Sequence, residues 1–193
     1  MIWVRVVAAL GCGYAAGALP FSYYIARWCG GVDLRRAGSG STSPSNVYRT
    51  VGLLPALAAG LLEVAKGAVG PLVAGHVNVL VAGLAGGLAV FAHNWPPIRY
   101  GGGGRGLSTA TGALAVVAWP AALLLCTGLV VGAAVRRIFP AMSVALVLLV
   151  PMLIFLRGSY VAAAAGVVLI PVGYKTLAVK RRRRWERSEE TAG

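Results

Sequence analysis

Apolar runs long enough to cross a bilayer recur along this chain, and they restrict its fold more than any other feature. About 20 residues of helix cover the hydrocarbon core of a membrane. The runs fall near 3–28, 51–74, 77–94, 106–118, 120–135, 140–156 and 159–175. In lipid, every backbone N–H and C=O must be bonded within the protein, so helices are the practical way to bury such runs. Composition agrees, since 58% of the 193 residues are hydrophobic and 12% charged. That is about half the charged share of a soluble domain. The mean hydropathy is +0.77. The expected fold is an all-α membrane protein, a polytopic bundle of about seven transmembrane helices over residues 1–175, with a basic tail at 176–193.

Two joints need a decision. The apolar stretch from about Val6 to Ala26 exceeds a signal-peptide core, so it reads as a retained helix. The run at 106–118 is short for an untilted span and would merge with the next but for Pro120, which disfavours a helix interior. Seven spans is the reading, with six as the alternative.

Positive residues set the orientation. With the amino terminus outside, Arg27, Arg35, Arg36, Arg49, Arg99, Arg105, Arg136, Arg137 and the basic tail all lie inside. The outer side keeps only Arg5 and Arg157, as the positive-inside rule requires. Six spans would break this pattern. The net charge of +13 is thus topological. Nucleic acid is not an expected partner, because no soluble domain and no aromatic–basic interleaving are present. Lys180–Arg184 reads as an anchor on the anionic inner leaflet, and the last few residues as disordered. Cys12, Cys29 and Cys126 have neither disulfide nor metal-ligand spacing and read as small apolar residues.

Against this background, Gly38–Arg49 (GSGSTSPSNVYR) stands out. Glycines let backbone N–H groups converge on an anion, hydroxyls add donors, and Arg49 adds a guanidinium fork. A second such stretch follows His93-Asn94-Trp95-Pro96: Arg99-Tyr100, four glycines (101–104), Arg105 and Gly106, then a helix from about Leu107. Its N–H groups and positive helix end suit an anion. Both loops fall on the cytoplasmic side, and two facing cradles fit a protein that holds two phosphate groups. Within the second span, Glu63 and Lys66 share a helical face. Charges at that depth call for a partner inside the bundle, and an ion pair is the expected answer. Ion translocation through them is the transporter alternative. His76 has no evident partner in the sequence.

These residues resemble the bacterial acyl-phosphate:glycerol-3-phosphate acyltransferase family. The resemblance runs from Gly17 to about Gly112: Gly17-Ala18-Leu19-Pro20-Phe21, Asp33-Leu34-Arg35, Gly38-Ser39-Gly40, Asn46-Val47, Arg49-Thr50 and Gly52, then Glu63, Lys66 and Gly67, then His93, Trp95, Pro96, Gly103-Gly104-Arg105-Gly106 and Thr109. It implies transfer of a fatty acyl group from acyl phosphate to the 1-hydroxyl of glycerol 3-phosphate, giving lysophosphatidate for phospholipid synthesis, with no metal and no cofactor. It implies that Ser39, Asn46 and Arg49 hold substrate phosphate together with Gly38 and Gly40. Arg105, where many members carry lysine, would contact the acyl phosphate, and His93, Gly103, Gly104, Gly106 and Thr109 would shape the second loop. The first motif departs at Ser41, Ser43, Pro44 and Ser45. The family's third motif, His-x-x-Asn late in the last helix, is replaced by Tyr174-Lys175-Thr176-Leu177-Ala178-Val179. A non-catalytic membrane protein that binds lipid phosphate therefore stays open as an alternative. The expected location is the bacterial cell (inner) membrane, with the active face cytoplasmic.

Overall fold

The computed structural model describes residues 1–75, 77–97, 102–135 and 138–190, with side chains undescribed at 133, 138–140, 143 and 182–190. The readings on His76, Arg99, Tyr100, Gly101, Arg136, Arg137 and the last three residues lie outside these. The chain is helical: α1 Ile2–Ala18, α2 Phe21–Gly30, α3 Pro44–Thr50, α4 Leu53–Ala74, α5 Val79–Asn94, α6 Leu107–Val117, α7 Trp119–Ala134, α8 Ile138–Arg157 and α9 Ser159–Glu190. Two short strands, β1 Ser41–Thr42 and β2 Gly102–Gly103, form the one sheet among the described residues.

The expected first span divides. Leu19 turns extended ahead of Pro20, and the chain re-enters helix at Phe21. Proline lacks the N–H and crowds the preceding residue out of the helical region, so the break falls where the ring sits. The short run at 106–118 is also separate: α6 stops at Val117, Ala118 is non-helical, and Pro120 sits in the first turn of α7 where its missing N–H costs nothing. At the other end, α9 continues unbroken through the expected tail to Glu190. Its 32 residues measure about 48 Å, more than a bilayer core.

Among the described residues, three stretches are long and apolar enough to cross a membrane: Ile2–Gly30 (α1 with α2), Leu53–Ala74 and Ser159–Arg181. Between them, Val79–Asn94, Leu107–Val117 and Trp119–Gly132 are apolar and shorter. The bundle is built outside-in relative to a soluble protein. Large side chains such as Leu61, Val147 and Phe155 are exposed, at 72%, 73% and 89%. Alanines such as Ala59, Ala85, Ala89, Ala113 and Ala165 are fully buried. Small residues bring membrane helices close. A Cβ on Gly17 would overlap Ala89 of α5, one on Gly67 would overlap the Thr109 carbonyl of α6, and one on Gly83 would lie 2.7 Å from the Ala164 carbonyl of α9. Cys12, Cys29 and Cys126 are unpaired and exposed.

Candidate functional site

The first loop is organised by one side chain. Asn46 on α3 is fully buried, and its Oδ1 accepts the Ser39 N–H at 2.9 Å. Its amide donates to the carbonyls of Ala37 and Ser41, both at 3.0 Å. A side chain at Gly38 would overlap Asn46 Oδ1, and Gly38 and Gly40 both have positive φ (59° and 69°), so glycine is needed at this turn. The loop leaves with alternate serines on one side. Ser39, Ser41, Ser43 and Ser45 form a hydroxyl chain with Oγ separations of 2.8, 3.0 and 3.2 Å. Pro44 occupies the first turn of α3, where its missing N–H interrupts no helical bond.

The second loop joins the first through backbone. Ser41 pairs with Gly102 and Thr42 with Gly103 in parallel register. Gly103 and Gly104 are buried, and a Cβ on Gly103 would lie 2.6 Å from the Asn94 carbonyl. One on Gly104 would meet His93 Nε2 at 2.9 Å and Ser43 Cβ at 3.1 Å. Glycine is required here because the backbone itself packs on α5 and on the first loop. Gly106 then caps α6 with φ of 76°. The helix N-terminus therefore opens next to the two joined loops.

Beneath the loops sits a buried polar cluster. Glu63 Oε2 lies 2.8 Å from Lys66 Nζ and 3.0 Å from His93 Nδ1, and it accepts from Thr109 Oγ1 at 3.3 Å. Glu63 Oε1 accepts from Ser22 Oγ at 3.0 Å. Lys66 Nζ also donates to the Leu19 carbonyl at 2.6 Å, an acceptor freed by the break at Pro20, and lies 3.1 Å from His93 Nδ1. Glu63 and Lys66 are each about 1% exposed. Five residues from α2, α4, α5 and α6 thus satisfy one another in a region with little water.

At the outer side of the first loop, Arg35 holds Asp33 through paired bonds of 2.8 and 2.6 Å, and its guanidinium lies 5.3 Å from the Tyr23 ring. The Arg35 side-chain bonds pull the Asp33 carboxyl down to about 2. So acidic a group is a poor proton acceptor at neutral pH.

The expected site residues separate into two groups. Ser39 and Arg49 are exposed, and Arg105 is half-buried between β2 and α6, so these have side chains at the loop surface. Asn46 was expected to hold substrate phosphate, and His93 and Thr109 to shape the second loop; each has partners inside the protein. Asn46 spends its amide within the loop, Thr109 donates to Glu63, and His93 supports Gly104 from below. All three are buried. Polar atoms already engaged in low dielectric gain nothing by exchanging partners. Glu63 and Lys66 pair as expected, and His93 joins them. Sequence reasoning passed over Ser22 in this cluster; an isolated hydroxyl in an apolar run gives no signal without its partner. It also gave no role to Lys175, which donates to the Asn94 carbonyl at 2.8 Å.

The sequence profile of the glycerol-3-phosphate acyltransferase family matches residues 7–185. The chain belongs to that family. Its relatives include glycerol-3-phosphate acyltransferases of Synechococcus sp. strain CC9902, 39% identical over 80% of each chain, and of Synechococcus sp. strain JA-3-3Ab, 37% identical over 86% of this chain and 84% of the relative. The crystal structure of PlsY (YgiH), an integral membrane glycerol 3-phosphate acyltransferase, in its glycerol 3-phosphate form superposes with a TM-score of 0.78 at 26% identity, covering 96% of this chain and 93% of that one. Its lysophosphatidic acid form shares the fold with a TM-score of 0.79. This acyltransferase family member is thus a helical membrane protein.

Proposed function

We propose that this chain transfers a fatty acyl group from acyl phosphate to the 1-hydroxyl of glycerol 3-phosphate, at the cytoplasmic face of a multi-pass bundle in the bacterial cell membrane. The observation that carries the reading is the parallel pairing of Ser41–Thr42 with Gly102–Gly103, which joins two anion-suited loops beside the α6 N-terminus. The relatives are named glycerol-3-phosphate acyltransferases, which supports the acceptor, and PlsY has been crystallised with glycerol 3-phosphate and with lysophosphatidic acid.

The glycerol hydroxyl oxygen attacks the acyl carbonyl carbon, and the carbon–oxygen bond to phosphate breaks. Inorganic phosphate leaves with the acyl-bond electron pair, and the hydroxyl proton passes to a phosphate oxygen. Neither acid near the site suits a base: Asp33 is clamped by Arg35, and Glu63 is enclosed by Lys66, His93, Ser22 and Thr109. Acyl phosphate is already activated. Arg49, Arg105, the serine hydroxyls and the loop N–H groups then act by positioning and by neutralising phosphate charge. Ser39, Gly38 and Gly40 belong to the first cradle, and Gly103, Gly104 and Gly106 to the second. Asn46, His93 and Thr109 hold the two in place.

The test is an assay of the purified protein in lipid with acyl phosphate and labelled glycerol 3-phosphate. Wild-type protein forms lysophosphatidate, and Arg49→Ala and Arg105→Ala abolish it. Undiminished turnover in both variants removes the loops from the site. Wild-type protein that binds acyl phosphate without product is the non-catalytic relative instead. The transporter alternative rested on Glu63 and Lys66, whose charges are taken up by each other and by neighbouring side chains.

A further inference from the structure

We propose that Ser39, Ser41 and Ser43 form a proton relay between the two loops, carrying the proton of the attacking hydroxyl to the departing phosphate. The proposal rests on the acyl-transfer reading above and supplies the path for its proton. Its first support is geometry. Side chains alternate along extended backbone, so Thr42 of β1 turns inward and is buried, leaving Ser41 and Ser43 on the other side. Ser39 joins them across Gly40. The Oγ atoms lie 2.8 Å apart from Ser39 to Ser41 and 3.0 Å apart from Ser41 to Ser43, and Ser45 follows at 3.2 Å. A hydroxyl both donates and accepts, so every bond in this row can run in either direction. A row that reverses as a unit conducts a proton.

The second support is what the Ser43 hydroxyl leaves undone. Ser43 is the N-cap residue of α3, a position where serine ordinarily turns its oxygen onto the first free N–H groups. Here the Ser43 carbonyl accepts from the Asn46 and Val47 N–H groups, at 2.9 and 3.1 Å, and the side chain makes no capping bond. The hydroxyl stands instead between those of Ser41 and Ser45. Its place in the row is kept at the expense of the cap.

The third support is placement. Ser39 is exposed in the first cradle, and Ser43 Cβ lies 3.1 Å from where a Gly104 Cβ would be. The row thus starts in one cradle and ends against the other. Neither nearby acid takes the proton, since Arg35 holds Asp33 and Glu63 is enclosed by Lys66 and His93. As the acceptor oxygen bonds to the acyl carbon, its O–H bond breaks and the proton passes to Ser39 Oγ. Ser39 gives its own proton to Ser41, Ser41 to Ser43, and Ser43 to a phosphate oxygen. Each serine ends with one proton and its hydrogen bonds reversed. Phosphate leaves with the electron pair of the broken carbon–oxygen bond and with the added proton. Rotation of the hydroxyls resets the row.

The test is single-turnover acyl transfer in lipid, with protein in excess over acyl phosphate, timed in mixtures of H2O and D2O at matched acidity. Several protons moving together make the rate constant bow below a straight line as the deuterium fraction rises, whereas one proton gives the line itself. Wild-type protein should bow, a measurement that needs no variant to fold. Ser41→Ala interrupts the row at its middle. It should slow the chemical step by about tenfold to a hundredfold, keep KM for both substrates and straighten the plot. Ser43→Ala should do the same, and Ser41→Thr, which keeps a hydroxyl, should recover both rate and curvature. A straight plot in wild type overturns the proposal. So does Ser41→Ala with raised KM and an unchanged chemical step, which leaves the hydroxyls as phosphate contacts alone, or with rate and curvature both unchanged. Wild-type protein that forms no product fails the acyl-transfer reading and the relay with it, while product formed along a straight plot fails the relay alone.

Discussion

His93 Nδ1 lies 3.0 Å from Glu63 Oε2, and that contact ties the glycine loop to a charge pair inside the bundle. The far side of the imidazole faces Gly104. The loop therefore rests on a ring whose orientation is fixed by a buried carboxylate. Glu63→Gln removes the charge that compensates Lys66 in low dielectric. Breaking a buried pair by removing one partner costs about 3–5 kcal/mol. The thermal midpoint in detergent should fall markedly, and Glu63→Gln with Lys66→Met should recover much of the loss. A single variant with an unchanged midpoint would show the pair to be dispensable.

The small residues of α4 and α6 make a sharper contrast. A methyl group on Gly67 would overlap the Thr109 carbonyl, and one on Gly112 would overlap that of Val64. Backbone cannot yield as a side-chain tip can, so either alanine forces α4 and α6 apart and displaces Thr109 from Glu63. Gly11 has nothing within 4 Å of the same position. Gly67→Ala and Gly112→Ala should lose both stability and activity, whereas Gly11→Ala keeps both. Unfolding temperature and lysophosphatidate formation, measured on the three proteins, decide it.

Asn46→Ala leaves the Ser39 N–H and the Ala37 and Ser41 carbonyls without their partner. Buried groups left unsatisfied cost about 1–3 kcal/mol each, and here the cost falls on the loop. Acyl transfer should drop at least about tenfold at 25 °C, a change near 1.4 kcal/mol. Asn46→Asp keeps the acceptor for Ser39 and loses both donors, so it should not rescue. A variant with full turnover would separate the loop's order from catalysis.

Much of this was legible in the sequence, for reasons particular to lipid. Apolar runs have no stable form there but helix, so α4 to α8 fall close to their expected positions, and α9 starts at its own but runs on to Glu190. The 3–28 run hid its break at Pro20 because hydropathy does not register a proline that keeps both halves apolar. Glycine and serine content marked both loops, yet not that they pair backbone to backbone. Asn46 and Thr109 were visible as polar residues near the loops; whether such a side chain faces ligand or protein depends on partners distant in sequence, such as Glu63 for Thr109. Lys175 sits in a stretch noted for lacking His and Asn, and its contact with Asn94 spans 81 positions.

The Asp33–Arg35 pair gives a pH prediction. Asp33 is pulled from 3.8 to about 2 by the Arg35 side chain. A depressed carboxyl contributes stability that is fully present above its unfolded value and is lost as pH falls through the folded one. That window lies between about pH 4 and pH 2, below any working range. Asp33→Asn should therefore leave the shape of the pH–activity profile between pH 5 and 9 unchanged, even where it lowers the rate by loosening Arg35. A new ionisation in that range would mean that Asp33 titrates during turnover.

Arg105 separates charge from geometry. It is half-buried between Gly104, which packs on His93, and Gly106, which caps α6. In the proposed reaction a guanidinium there would offer phosphate a planar fork, whereas lysine would offer one compact charge on a flexible stem. On that proposal the charge would act in both the bound state and the transition state, because phosphate carries negative charge throughout. The fork adds orientation, which matters most when the acyl carbonyl is aligned with the attacking hydroxyl. Arg105→Ala should then lose turnover, while Arg105→Lys keeps acyl-phosphate affinity and loses part of kcat. Steady-state kinetics with acyl phosphate varied at saturating glycerol 3-phosphate reads both parameters. A lysine variant with raised KM and unchanged kcat would mean that the fork binds phosphate without orienting it.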